Sequence, residues 1–250
     1  MTLFEMQNVS FSYSRGQPVL KDVTLDIQAG HNLGIVGESG SGKTTILRLL
    51  LGLERPTSGT IRLKNEVVDP SNRTFIRTFR RTVQAVFQDP YSSLDPRQSI
   101  FEIIAEPIRS LKIPGDTKAT IVKALASVDL PEDAGSRYPH EFSGGQRQRI
   151  AIARAIVSQP NIILADEVVS ALDLSTRVRI VALLKELSQN VTLVLVSHDI
   201  SLVALLCKEI VILEHGRIVE SGPTDEVLGN PKHPYTRKLL ESTPRLPTYS

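Results

Sequence analysis

Residues Gly37-Glu38-Ser39-Gly40-Ser41-Gly42-Lys43-Thr44 fit the pattern G-x-x-x-x-G-K-[ST]. Glycines let the backbone turn its N–H groups inward, and a helix N-terminus behind them adds a field that favours anions. The setting agrees with this chemistry. The short apolar run 33–36 comes just before the loop, and a helical stretch, 43–51, begins within it at Lys43 and runs on through Thr45. Lys43 is suited to neutralise the β- and γ-phosphates of a nucleotide, and the Thr44 hydroxyl to hold Mg²⁺. The loop alone specifies a nucleoside triphosphate and does not choose among GTPases, kinases and motor ATPases.

A second apolar run, 162–165, ends in Asp166-Glu167. Ligands of open parallel sheets bind at the carboxyl ends of the strands, which puts Asp166 in position to hold Mg²⁺, directly or through water. Glu167, one residue on, is placed to orient the attacking water or take its proton. Run 83–87 is followed by Gln88, a neutral donor and acceptor suited to Mg²⁺ and that water. Run 191–196 is followed by Ser197-His198-Asp199, where His198 is suited to contact the γ-phosphate.

A further anion-binding helix start lies far along the chain. In Phe142-Ser143-Gly144-Gly145-Gln146-Arg147, the Ser143 to Gln146 spacing is that of a capping box, and the paired glycines leave backbone amides uncovered. One chain thus carries two phosphate-binding helix ends.

These elements must be positioned by a scaffold. Residues 6–13 and 19–27 read as strands separated by a turn at 14–18, and 60–67 alternates as a half-exposed strand. The four runs 33–36, 83–87, 162–165 and 191–196 are nearly continuous in hydrophobicity, as in parallel strands buried on both faces. Helical stretches at 43–51, 146–157 and 176–187 lie between them, which argues for an α/β fold. Residues 90–154 differ: helix-like pieces at 100–110 and 117–128 are interrupted by Pro107, Pro114, Pro131 and Pro139. They read as a mostly helical subdomain inserted into the α/β core.

The order and spacing of these motifs resemble the nucleotide-binding subunit of an ATP-binding cassette (ABC) transporter over nearly the whole chain. The loop 37–44, Gln88, Ser143-Gly144-Gly145-Gln146, Asp166-Glu167, Ser170-Ala171-Leu172-Asp173 and His198 carry the likeness, and Tyr13 matches the aromatic that stacks on adenine. The resemblance implies a single domain over 1–250. Its P-loop NTPase core, a mostly parallel sheet with helices on both faces, takes 1–89 and 155–250 with an N-terminal antiparallel β subdomain, and the helical subdomain takes 90–154. It also implies ATP and Mg²⁺ as cofactors. Catalysis would fall to Glu167, His198 and Gln88, with Thr44, Gln88 and Asp166 at the metal. The expected dimer is head to tail with an identical or homologous second ATPase subunit, each ATP lying between one subunit's loop and the other's Ser143 helix, and Ser170–Asp173 running along the interface. Two positions depart from the family pattern. Phe142 replaces a usual Leu, an expected packing change, and Val168 replaces a usual Pro, whose lost backbone restraint is expected to loosen the loop to Asp173.

With no membrane span in the sequence, the resemblance implies an importer with two separate permease subunits. The chain would work peripherally at the cytoplasmic face of the membrane and meet an extracellular substrate-binding protein only indirectly. The segments 89–97 and 230–240, the latter with His233-Pro234-Tyr235-Thr236, resemble the subgroup that imports oligopeptides, dipeptides and nickel or related chelates. The physics of the tail itself reads as a surface helix with a proline start, outside catalysis. Lacking a C-terminal cysteine cluster, the chain resembles the smaller, nickel-type subunit. The cargo, and whether the pair is homomeric, are open at this level.

Composition narrows the alternatives. Lys plus Arg is 29 against 27 for Asp plus Glu, a net charge of +2 that supplies no polycationic field for nucleic acid. The one cysteine, Cys207, excludes an intrachain disulfide and makes a thiolate-ligated metal cluster untenable. A soluble ABC ATPase of DNA repair would place a long coiled coil between Lys43 and Asp166, yet that interval has repeated prolines and no sustained heptads. Ribosome-acting members usually carry two cassettes. A weakly hydrolytic regulatory subunit is the remaining alternative, and it needs a partner to supply the active site.

Overall fold

The computed structural model describes residues 1–13, 16–170 and 172–242. Ser14 and Arg15, in the expected turn, and Ala171, in the expected interface stretch, lie outside the described residues. Along the chain run β1 (Thr2–Phe11), β2 (Leu20–Gln28), β3 (Leu33–Val36), α1 (Lys43–Leu50), β4 (Ser58–Leu63), β5 (Glu66–Val67), α2 (Arg73–Thr82), β6 (Val83–Val86), α3 (Pro90–Ser93), α4 (Ile100–Ser110), α5 (Thr117–Ala126), α6 (Gly144–Ile156), β7 (Ile162–Asp166), α7 (Leu174–Leu187), β8 (Thr192–Ser197), α8 (Ile200–Leu206), β9 (Glu209–Glu214), β10 (Arg217–Pro223), α9 (Thr224–Gly229) and α10 (Pro234–Ser242). Two compact units result: Met1–Val68 with Val194–Ser250, and Asp69–Leu193.

The first unit holds an antiparallel sheet in the order β2-β1-β4-β5. Alternation along β2 buries Val23, Leu25 and Ile27, the period-two pattern of a sheet with one packed face; Leu20, also buried, lies beyond an irregularity at which Asp22 takes φ 52° and the register with β1 shifts. The single strand expected over 60–67 is instead a hairpin. Lys64 and Asn65 take positive φ (49° and 67°), and Leu63 pairs with Glu66. Such a two-residue turn matches the right-handed strand twist. β1 ends at Phe11, so Tyr13 stands beyond the strand in which it was expected. In the same unit β3 pairs in parallel with the 194–197 part of β8 and with β9, all buried along their centres. β9 then turns back antiparallel into β10. Cys207 is buried, and burial pushes its thiol up to about 12, leaving it a small hydrophobe at neutral pH.

In the second unit β6 and β7 pair in parallel. β7 is buried as its apolar run predicts. β6 is not: Gln84 and Ala85 are half-buried, because only Val83 and Val86 turn into the core. The helical segment follows the expected pieces closely, with one correction. Pro107 sits inside α4 and does not break it. The helix ends three residues later at Ser110, and Pro107 is itself buried. At its start, Ser99 and Glu102 form a capping box, S-x-x-E in the sequence. Among the described residues, no helix is long and apolar enough to cross a membrane.

Candidate functional site

In the first unit, parallel register fixes what meets at one end of the sheet. Val36 is level with Ser197 and Ile212, so the loop beginning at Gly37 and the Ser197-His198 corner leave adjacent strands at their carboxyl ends. The loop enters α1 through Gly42, whose φ of 110° is open to glycine and costly for any L side chain. No side chain caps α1, whereas Asn72, Asp89, Ser99, Asp116, Ser143, Asp173 and Asp199 each cap the helix that follows them. The α1 N-terminus is thus without a side-chain cap, as is that of α9.

Lys43 is 7% exposed and spans the loop, its Nζ donating to the Gly37 carbonyl at 2.7 Å and the Glu38 carbonyl at 2.9 Å. Thr44 is exposed and Thr45 buried, with the Thr45 hydroxyl 3.3 Å from the Tyr13 hydroxyl. The Tyr13 ring is 55% exposed, meets Phe11 edge-on at 4.8 Å and has the Arg48 guanidinium 6.0 Å from its centre. An aromatic face is thus presented beside the helix that carries the loop. His198 is exposed, and Asp199 behind it caps α8 through the Ser201 and Leu202 N–H groups.

The tail corrects the sequence reading. The Glu38 N–H donates to the Tyr235 hydroxyl at 2.8 Å, and Lys238 Nζ lies 3.3 Å from Glu38 Oε1. A segment read as a mere surface helix therefore touches the phosphate loop. The available signal was a tyrosine set in an otherwise basic, proline-started helix, a residue that buries its ring and keeps a polar tip.

In the second unit Val86 is level with Ala165, which brings Gln88 and Asp166-Glu167 to the ends of neighbouring strands. Gln88 Nε2 donates to Ser170 Oγ at 3.2 Å, and Ser170 gives its N–H (3.1 Å) and its Oγ–H (2.9 Å) to the Glu167 carbonyl. Glu167 itself takes φ +44°. A left-handed non-glycine costs about 1–2 kcal/mol, and the Ser170 bonds offset part of it. Val168 and Val169 are both 3% exposed. Burial of these two side chains thus packs the stretch where proline would have stiffened it. Further on, Asp173 caps α7 through the Thr176 N–H, and bonds from Ser175 and Thr176 hold its carboxyl well below the usual range.

The Ser143 helix start is built as its spacing predicts. The Gln146 N–H donates to Ser143 Oγ at 3.3 Å and the Ser143 N–H to Gln146 Oε1 at 2.9 Å. The adjoining glycines divide the work. A Cβ on Gly144 would meet nothing within 4 Å, whereas one on Gly145 would stand 2.1 Å from Thr176 Cγ2 of α7. Gly145→Ala is therefore expected to destabilise the chain by about 1–3 kcal/mol through overpacking, read as a lower Tm, and Thr176→Ser in the same chain should restore part of it. Full stability in Gly145→Ala would contradict the close approach. Phe142 does more than repack, since the Arg137 guanidinium lies 4.3 Å from its ring centre, a cation–π contact that Leu lacks.

Mg²⁺ takes oxygen ligands and usually binds through one or two carboxylates plus substrate phosphates. The Thr44 hydroxyl, Gln88 carbonyl and Asp166 carboxylate are donors of that kind. Among the described residues no cluster of three or more His, Cys, Asp or Glu forms a cage for a metal held by protein alone.

Comparison with known proteins identifies the family. Residues 20–170 match the family described as ABC transporter, and 219–249 match the oligopeptide/dipeptide transporter C-terminal region. The chain is 46% identical over 233 residues to a Brucella ovis protein whose name describes a peptide import ATP-binding protein, covering 90% of this chain and 73% of that one. The structure of cbiO1 from Clostridium perfringens, part of the ABC transporter complex cbiONQ, superposes with a TM-score of 0.83 at 28% identity, covering 92% of this chain and 91% of that one. A dimeric ATP-binding cassette in a post-hydrolysis state, bound to ADP and Pi, superposes with a TM-score of 0.78 at 31% identity, covering 89% and 99%. The chain belongs to the ABC transporter family, and its α/β fold is that of the family's ATP-binding domain.

Proposed function

We propose that this chain is the ATP-binding and ATP-hydrolysing subunit of a bacterial-type importer that moves peptides through two separate permease subunits. The observation that carries the nucleotide reading is the loop 37–44: a glycine turn crossed by a buried lysine in front of a helix with no side-chain cap. The peptide cargo is supported by the match of 219–249 and by the name of the Brucella ovis relative.

In this reading the loop amides and Lys43 hold the β- and γ-phosphates, and Tyr13 stacks on adenine. Thr44, Asp166 and Gln88 would hold Mg²⁺, which would supply charge neutralisation at the phosphates. Glu167 takes a proton from water as its oxygen attacks the γ-phosphorus, and the bond from that phosphorus to the bridging oxygen breaks to give ADP and phosphate. His198 contacts the γ-phosphate. A second copy, or a homologous partner, completes each site with its own Ser143 helix start, head to tail, so ATP favours the closed pair. Closure passes through the Gln88 segment to the permease at the cytoplasmic face, and the substrate-binding protein is met only through the permease.

The purified chain is expected to bind ATP and to release phosphate in a Mg²⁺-dependent manner, with turnover per chain rising with concentration as pairs form. EDTA should reduce release to background. Failure to bind millimolar ATP, alone or with permease co-expressed, would overturn the reading.

A further inference from the structure

The C-terminal motif residues have distinct tasks within the first unit. Glu220 of β10 accepts the backbone N–H groups of Lys232 at 2.8 Å and His233 at 3.1 Å, fixing the loop into α10. His233 Nδ1 accepts the Tyr235 N–H at 3.3 Å, capping a helix whose first residue is Pro234. Arg237 donates to the Pro231 and Lys232 carbonyls at 3.0 and 3.1 Å. Thr236 is fully buried and Tyr235 nearly so. The helix start is therefore fixed by several bonds, and the tyrosine it carries is buried.

That hydroxyl accepts the Glu38 N–H. Residues three apart share a helix face, and Lys238 on that face reaches the Glu38 carboxylate. Glu38 is also one of the two residues whose carbonyls receive Lys43. One loop residue is thus tied to α10 by its N–H and to the phosphate-binding lysine by its C=O. Burial raises the Tyr235 phenol above its usual value, so the hydroxyl keeps its proton at neutral pH.

We propose that Tyr235 is a positioning residue of the nucleotide site: it fixes the Gly37-Glu38 peptide, and through the Gly37 carbonyl of that same peptide the Lys43 ammonium. This makes α10 a strut of the phosphate loop, and it rests on the ATPase reading above. The pattern His-Pro-Tyr-Thr then has a physical meaning, in which cap, helix start, strut and buried anchor follow one another.

Tyr235→Phe keeps the ring and removes the hydroxyl. Loss of one such hydrogen bond is expected to weaken ATP binding and raise KM by about three- to tenfold, with kcat at saturating ATP within about twofold of the parent chain. A tail with a purely structural role would lower Tm and leave KM alone. Unchanged KM and ATP affinity in Tyr235→Phe would overturn the proposal. Amide hydrogen exchange on the unsubstituted chain gives an independent answer without nucleotide or mutation. The Glu38 N–H sits in an exposed loop, so slow exchange there supports the tie, and exchange at the unprotected rate overturns it. If the parent chain fails to bind ATP, the ATPase reading falls, and exchange at Glu38 still decides the strut.

Discussion

Glu167→Gln is expected to lower kcat for ATP hydrolysis by about 10²- to 10⁴-fold, the usual worth of a positioned general base, while ATP affinity stays within about threefold. The substitution exchanges a carboxylate oxygen for an amide nitrogen at nearly constant shape. The contacts that hold its backbone are separate from what its carboxylate would do. Its carbonyl receives two bonds from Ser170, and the following Val168 and Val169 are buried. None of these contacts uses the carboxylate, so they should survive the change, including the left-handed backbone at Glu167. With binding intact and turnover blocked, ATP stays in the pair, and the substituted chain should accumulate as an ATP-loaded dimer by mass action. Single-turnover phosphate release, equilibrium ATP binding and light scattering with ATP read the three consequences. Undiminished phosphate release removes Glu167 from the role of base. An ATP-saturated chain that stays monomeric, alone or with its natural partners, removes the clamp.

Why some of this was legible and some not follows from how far each signal reaches along the chain. A parallel strand buried on both faces is written as an unbroken apolar run, and its first polar residue marks the carboxyl end where ligands bind. Ala165-Asp166 and Val196-Ser197 follow that rule, and the run ending at Val36 stops at a glycine, so these strand ends are legible in the sequence. β6 strains it: Gln84 lies inside the run, and the structure leaves that residue half-buried. The β4–β5 hairpin was missed because alternation with period two continues numerically through the reversal. Only the tolerance of Asn65 for positive φ hinted at a turn. Contacts between distant residues leave no local mark at all. The Gln88–Ser170 bond spans 82 positions and the Glu38–Tyr235 bond 197, so the first appeared as two separate motifs and the second as a loop and an unrelated tail. Val168 illustrates the converse. Its departure from proline was visible, but that a buried β-branched side chain anchors the same stretch is a property of packing.

Lys43→Ala is expected to weaken ATP binding by about 10- to 100-fold, and hydrolysis should fall to background. The estimate comes from the hydrogen bonds of a charged donor, about 1.5–3 kcal/mol, expressed as affinity. The lysine acts on the loop before any phosphate arrives, because its Nζ already joins the Gly37 and Glu38 carbonyls. Removing it takes away a positive charge and also the strap that pre-shapes the turn, and pre-shaping is what spares ATP the entropic cost of ordering the loop. Lys43→Arg separates the two contributions. Arginine keeps the charge, but its planar fork is wider than an ammonium that is 7% exposed inside the turn. If geometry matters as much as charge, Arg should impair binding nearly as much as Ala. If charge alone matters, Arg should recover most of the affinity. Equilibrium binding of a fluorescent ATP analogue to the three chains decides between them. Affinity near that of the parent chain in Lys43→Ala would take the loop out of phosphate binding, and with it the observation on which the nucleotide reading stands.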